Sequence, residues 1–123
     1  MNPAALQATV RDGLTGVEAV TRELVAAVEQ KDSKAIDRAL EERGRRIERL
    51  EPQFAALREH GQLDEQLKSA AAALVASGNE VLEALRRSHA ATGSMLARLA
   101  REAVAIRAYG ADLPGASTLD RSG

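Results

Sequence analysis

Apolar residues recur every three or four positions along nearly the whole chain, the spacing of one face of an α-helix. From the N-terminus, Leu6, Val10, Leu14, Val17, Val20, Leu24 and Val28 form one stripe. Asn2 suits an N-cap, and Pro3 suits the first helical position, where its missing N–H is not needed. A first helix over about 3–30 is predicted. Gly13 and Gly16 interrupt it, and are read as loose packing rather than as a close helix contact. Lys31-Asp32-Ser33 reads as a turn, with Asp32 or Ser33 capping a second helix over about 34–59. Its stripe is Ile36, Leu40, Arg43 or Gly44, Ile47, Leu50, Phe54 and Leu57, with Pro52 expected to kink or split it near Glu51. His60-Gly61 closes that segment. Leu67, Ala71, Leu74, Gly78, Val81, Leu85, Ser88, Thr92, Met95, Leu99, Ala103 and Ile106 then continue one spacing with almost no error. A single third helix over about 62–109 is predicted, with hinges at Gly78 or Gly93, and 111–123 read as a flexible tail.

Composition agrees with helices and with little else. The 123 residues include 25 alanines and 15 leucines, no cysteine, no tryptophan, and Phe54 and Tyr109 as the whole aromatic complement. An antiparallel sandwich or barrel draws on aromatic and β-branched residues that this chain lacks. The expected fold class is all-α: an elongated antiparallel helical hairpin plus a long third helix, coiled-coil-like, in one domain over 1–110. The apolar run Ala70 to Ala76 is too short for a membrane span, and the start shows no basic region ahead of an apolar stretch. A cytoplasmic location is the expectation.

Helix lengths sharpen this picture. At 1.5 Å per residue the first helix is roughly 40 Å long and the third roughly 70 Å. The second helix therefore covers about half of the third, and the stretch from Ser88 to Tyr109 is expected to overhang. Thr92, Met95, Leu96, Leu99, Ala103 and Ile106 would then form an uncovered stripe that needs a partner. Charge divides at the same place. Residues 1–85 carry net −4, whereas 86–110 carry Arg86, Arg87, Arg98, Arg101 and Arg107 against Glu102 alone. These arginines suit the C-terminal half of a helix, and they also suit an acidic partner helix. No aromatic residue interleaves them, so nucleic acid is not the expected partner.

Catalytic signatures are missing from the pattern. His60 and His89 are the only histidines, and neither has a His, Cys or carboxylate four positions away that makes a convincing ligand pair. There is no phosphate-cradling glycine loop and no nucleophile elbow. Glu41, Glu42, Glu48 and Glu51 mix with arginines as surface pairs along the second helix. The reading is a protein that is not an enzyme, with no catalytic residue, metal or cofactor.

The hairpin, the Gly78-Asn79-Glu80-Val81-Leu82 segment, and Ala108-Tyr109-Gly110 followed by Ser117-Thr118-Leu119-Asp120-Arg121 resemble the flagellar export chaperones of the FlgN and FliT type. That resemblance implies a cytoplasmic chaperone of type III flagellar export. It would bind the C-terminal helical segment of a hook-associated or filament-cap subunit and deliver it to the export gate membrane protein. Thr92, Met95, Leu96, Leu99, Ala103 and Ile106 would receive the client, and Tyr109 would contact the gate. The alternative is a structural homo-oligomer, a homodimer in the simplest case, that pairs the same stripe with itself.

Overall fold

The computed structural model describes residues 2–109, and the expectations for Gly110 and for the tail of 111–123 lie outside them. Four helices follow in order: α1 (Pro3–Glu29), α2 (Ser33–Glu59), α3 (Glu65–Arg87) and α4 (Gly93–Tyr109). The all-helical expectation holds. The long third helix does not: it is two helices, with the chain reversing between Arg87 and Gly93.

Each helix starts the same way. A short polar side chain accepts the backbone N–H three residues on: Asn2 from Ala5, Asp32 from Ala35, Asp64 from Leu67 and Thr92 from Met95. Each of the first three helices also ends the same way. Lys31, Gly61 and His89 take left-handed φ values of 56°, 65° and 57°. The N–H of the next residue then bonds back to Ala27, Leu57 or Leu85 respectively. These paired 6→1 and 5→2 bonds are the usual glycine-type helix stop, yet glycine supplies the conformation only at Gly61. His89 does so at the end of α3, and Thr92 restarts the chain three residues later. That stop and that cap split the helix expected over 62–109. Gly78 lies inside an unbroken α3, and Gly93 opens α4.

Pro52 also departs from expectation, since α2 runs through it as one assigned helix. The carbonyl that loses its partner belongs to Glu48, and both residues are exposed, so water can replace the missing bond.

α1 packs along α2 and α3, and α4 packs along the same two helices from the other side. Arg11 meets Asp64 at 3.1 Å at one end of α1. At the other end Leu24 and Val28 share a cluster with Val81 and Leu85, so α1 and α3 run parallel. α4 runs parallel to α2, with Glu102 beside Arg43 and Arg58 donating to the Ala108 carbonyl further along. The result is a four-helix bundle in which the α2–α3 connection crosses the diagonal. The expected overhang is thereby overturned. Leu99, Ile106 and Tyr109 are buried against the other helices, because folding α4 back covers the stripe within the same chain.

Two apolar clusters fill the bundle. One gathers Val10, Leu14, Leu50, Phe54, Leu67, Ile106 and Tyr109 among others; the second gathers Leu24, Ile36, Leu40, Val81, Leu85 and Leu99. The α1/α2 contact is tight where they meet. A Cβ on Gly13 would come within 2.7 Å of Leu50 Cδ2. Gly13 is therefore a close-approach residue, contrary to the loose packing expected of it.

Candidate functional site: a groove between the last two helices

The groove is laid on a polar layer at mid-bundle. Arg43 on α2 occupies an apolar stripe position and is 1% exposed. Its guanidinium reaches every other helix. Nε donates to Thr21 Oγ1 on α1 at 3.0 Å, and Nη1 to Glu102 Oε1 on α4 at 3.2 Å. Nη2 donates to the Leu74 carbonyl at 3.3 Å and to Ser77 Oγ at 3.4 Å, both on α3. Burial pushes Glu102 above the usual carboxylate range, with Arg43 and then Arg98 and Arg101 opposing the shift. Burial likewise pulls Arg43 below its ordinary value against the pull of Glu102. Glu102 Oε2 has no partner among the described residues. Such a layer specifies how four helices align more than it stabilises them.

Over this layer, α3 and α4 meet incompletely. Their seam is a groove of about 420 Å³. Leu74, Leu99 and Ile106 form its buried floor, with Arg43 beneath. Val75 and Leu82 form the α3 wall, and Leu96, Ala103 and Val104 the α4 wall. Gly78, Ala100 and Ala103 bring little side chain to the seam, which is why it stays open. Leu96 is 37% exposed and Val104 66%; among the described residues these are the large hydrophobic side chains left to solvent. Arg86 and Arg107 stand on the rims.

The seam on the other side of α4, against α2, has a similar volume of about 440 Å³ but a different character. Glu41, Glu48 and Glu51 face Arg45, Arg98 and Arg101 there. A mixed-charge wall offers an apolar helix little to bury.

The residues expected to receive a client divide three ways. Leu96, Leu99, Ala103 and Ile106 all line the α3/α4 groove. Thr92 caps α4, and Met95 is half-buried against the Leu24–Leu85 cluster. Tyr109 is 1% exposed. Its ring stacks on Phe54 with centroids 4.6 Å apart, and its hydroxyl donates to the Ile47 carbonyl. Burial, with Glu51, Glu102 and Glu48 nearby, pushes that hydroxyl's pKa well above the ordinary tyrosine range. In this conformation Tyr109 closes the bundle and presents no free ring. Val75, Leu82 and Val104 belong to the groove and lie outside the main stripe. Their sequence signal is a second apolar row beside the first, Val75 with Leu82 and Leu96 with Val104.

His60 ends α2 and His89 is exposed in the α3–α4 turn. Among the described residues no cluster of His, Asp and Glu is arranged to hold a metal ion, and no helix is long and apolar enough to cross a membrane. No family model matches this chain, and neither does any curated protein or solved structure.

Proposed function

We propose that this chain is a cytoplasmic chaperone of flagellar type III export that holds an amphipathic helix of a late-export subunit in the α3/α4 groove. The observation that carries the reading is a pair of facing apolar walls, topped by exposed Leu96 and Val104, on a bundle whose other surface hollows are lined mostly by charged side chains. A segment disordered by itself can fold as a helix on such walls and bury its apolar face there. The client class, a hook-associated or filament-cap subunit, comes from the sequence resemblance. So does delivery to an export gate membrane protein. Tyr109 can reach that gate only if the end of α4 lifts from Phe54.

The test is capture of the C-terminal helical segments of such subunits by the intact chain, measured by isothermal calorimetry. One-to-one binding is expected. Leu96→Glu and Val104→Glu place a charge on each exposed apolar position, and each should weaken binding at least tenfold with circular dichroism unchanged. Binding that ignores both substitutions moves the site elsewhere.

A further inference from the structure

The two rim arginines stand at opposite ends of the groove and on opposite walls. Arg86 closes α3 beside the α3–α4 turn, whereas Arg107 lies in the last turn of α4. Because the two helices are antiparallel, these positions are diagonal across the seam. From Leu96 to Arg107 the groove runs eleven residues, about 16 Å or three helical turns.

No acidic side chain lines this groove among the described residues. Glu80 and Glu83 on α3 border a separate hollow with Val25 and Arg87. Glu102 points to Arg43, and Glu41, Glu48 and Glu51 of α2 line the far side of α4. Arg86 has one exposed, long contact to Glu83 at 3.8 Å. Arg107 makes no ion pair with a described residue. Arg43, under the floor, is already committed to Glu102. The groove is therefore a largely apolar trough with a cation at each end and no anion in its lining, Arg86 having only the exposed Glu83 outside it.

We infer that the groove selects a helix of about three turns bearing one acidic side chain near each end, on opposite flanks of its apolar stripe. This rests on the reading that the groove takes a helix, and it adds which helix. Two acidic residues about ten positions apart are separated by about 15 Å along a helix axis and about 80° around it, one on each flank of the stripe. They can therefore reach Arg86 and Arg107 while the leucine-type residues between them fill the trough. Exposed pairs contribute little each, so the acidic residues set register and discrimination, and the apolar stripe supplies affinity.

Two fluorescein-labelled peptides test this against the intact chain by anisotropy. Both carry the same leucine–alanine stripe at helical spacing. One has glutamate at the two flanking positions, the other lysine. The glutamate peptide should bind about tenfold tighter at low salt, shrinking to less than about threefold near 0.5 M salt as the charges are screened. The double substitution Arg86→Glu, Arg107→Glu should reverse the preference. Equal binding of the two peptides overturns the inference and leaves helix docking standing. Binding of neither peptide overturns both. A dimer in sedimentation equilibrium that the glutamate peptide fails to dissociate also overturns it, since the occupant would then be a second copy.

Discussion

The two hairpins of this bundle use the same turn chemistry and reach different surfaces. In the α1/α2 hairpin both helices have 27 residues, and Gly13 lets α1 settle directly against Leu50; the hollow of about 410 Å³ further along these two helices is lined by alanines and charged side chains. In the α3/α4 hairpin the helices have 23 and 17 residues. There the small residues do not bring the backbones together: a Cβ on Gly78 would meet only the Arg43 guanidinium, at 3.5 Å. The same residue type thus closes one seam and hollows the other. What differs is what lies opposite. Gly13 faces a large buried leucine, whereas Gly78 faces the Arg43 guanidinium, and Ala100 and Ala103 line the same groove from α4. A bundle can be stable on one hairpin and leave the other open for binding.

The strongest blow to this arrangement should come from the residue that joins the hairpins. Arg43→Ala removes hydrogen bonds to α1, α3 and α4 together and strands Glu102 in the interior. Breaking a buried pair from one side typically costs about 3–5 kcal/mol. Denaturant unfolding should show a loss of that order, with α4 losing amide protection first. The paired substitution Arg43→Met with Glu102→Leu removes the stranded charge and should recover most of the loss. If it recovers stability and also closes the groove to helical peptides, the polar layer is what holds the α3/α4 seam open.

A smaller effect separates the seams directly. Gly13→Val forces side-chain volume into the Leu50 contact and should destabilise by about 1–3 kcal/mol. Ala100→Val adds comparable volume to the exposed α4 wall and should change stability by less than about 0.5 kcal/mol. Thermal unfolding of the two variants side by side is the measurement. Equal losses would mean that the α3/α4 seam is as tightly packed as its counterpart, and the contrast would fail.

How much of this was legible in the sequence differs between the hairpins too. The 3–4 spacing, Asn2-Pro3 and Asp32 placed α1 and α2 to within a residue or two, because each boundary coincides with a residue that has a strong positional preference. Arg43 was visible as a charged residue on an apolar stripe, although its partners lie 22 to 59 positions away in sequence and no local pattern points to them. Leu96, Leu99, Ala103 and Ile106 were recognisable as one apolar face. Their opposing wall, Val75 and Leu82, was not, because it becomes a neighbour only when the chain reverses. The reversal itself was hidden: the apolar spacing passes through Ser88 and Thr92 without a break, and Gly93 drew attention four residues past the true stop.

His89 is the hinge of that misreading, and its replacement carries a smaller expected effect than that of Gly13. It holds φ at 57° with its Cβ against the following carbonyl, a conformation that costs a non-glycine residue about 1–2 kcal/mol. Glycine relieves that cost and loses part of the gain to greater freedom in the unfolded chain. His89→Gly should therefore stabilise the bundle by about 0.5–1 kcal/mol in equilibrium unfolding, with helix content unchanged. His89→Ala keeps the Cβ and should bring no such gain. The pair separates a backbone role for residue 89 from a role for the imidazole. If alanine stabilises as much as glycine, the turn is not held by the left-handed geometry. The α3/α4 hairpin would then owe its reversal to the Thr92 cap alone, unlike its α1/α2 counterpart.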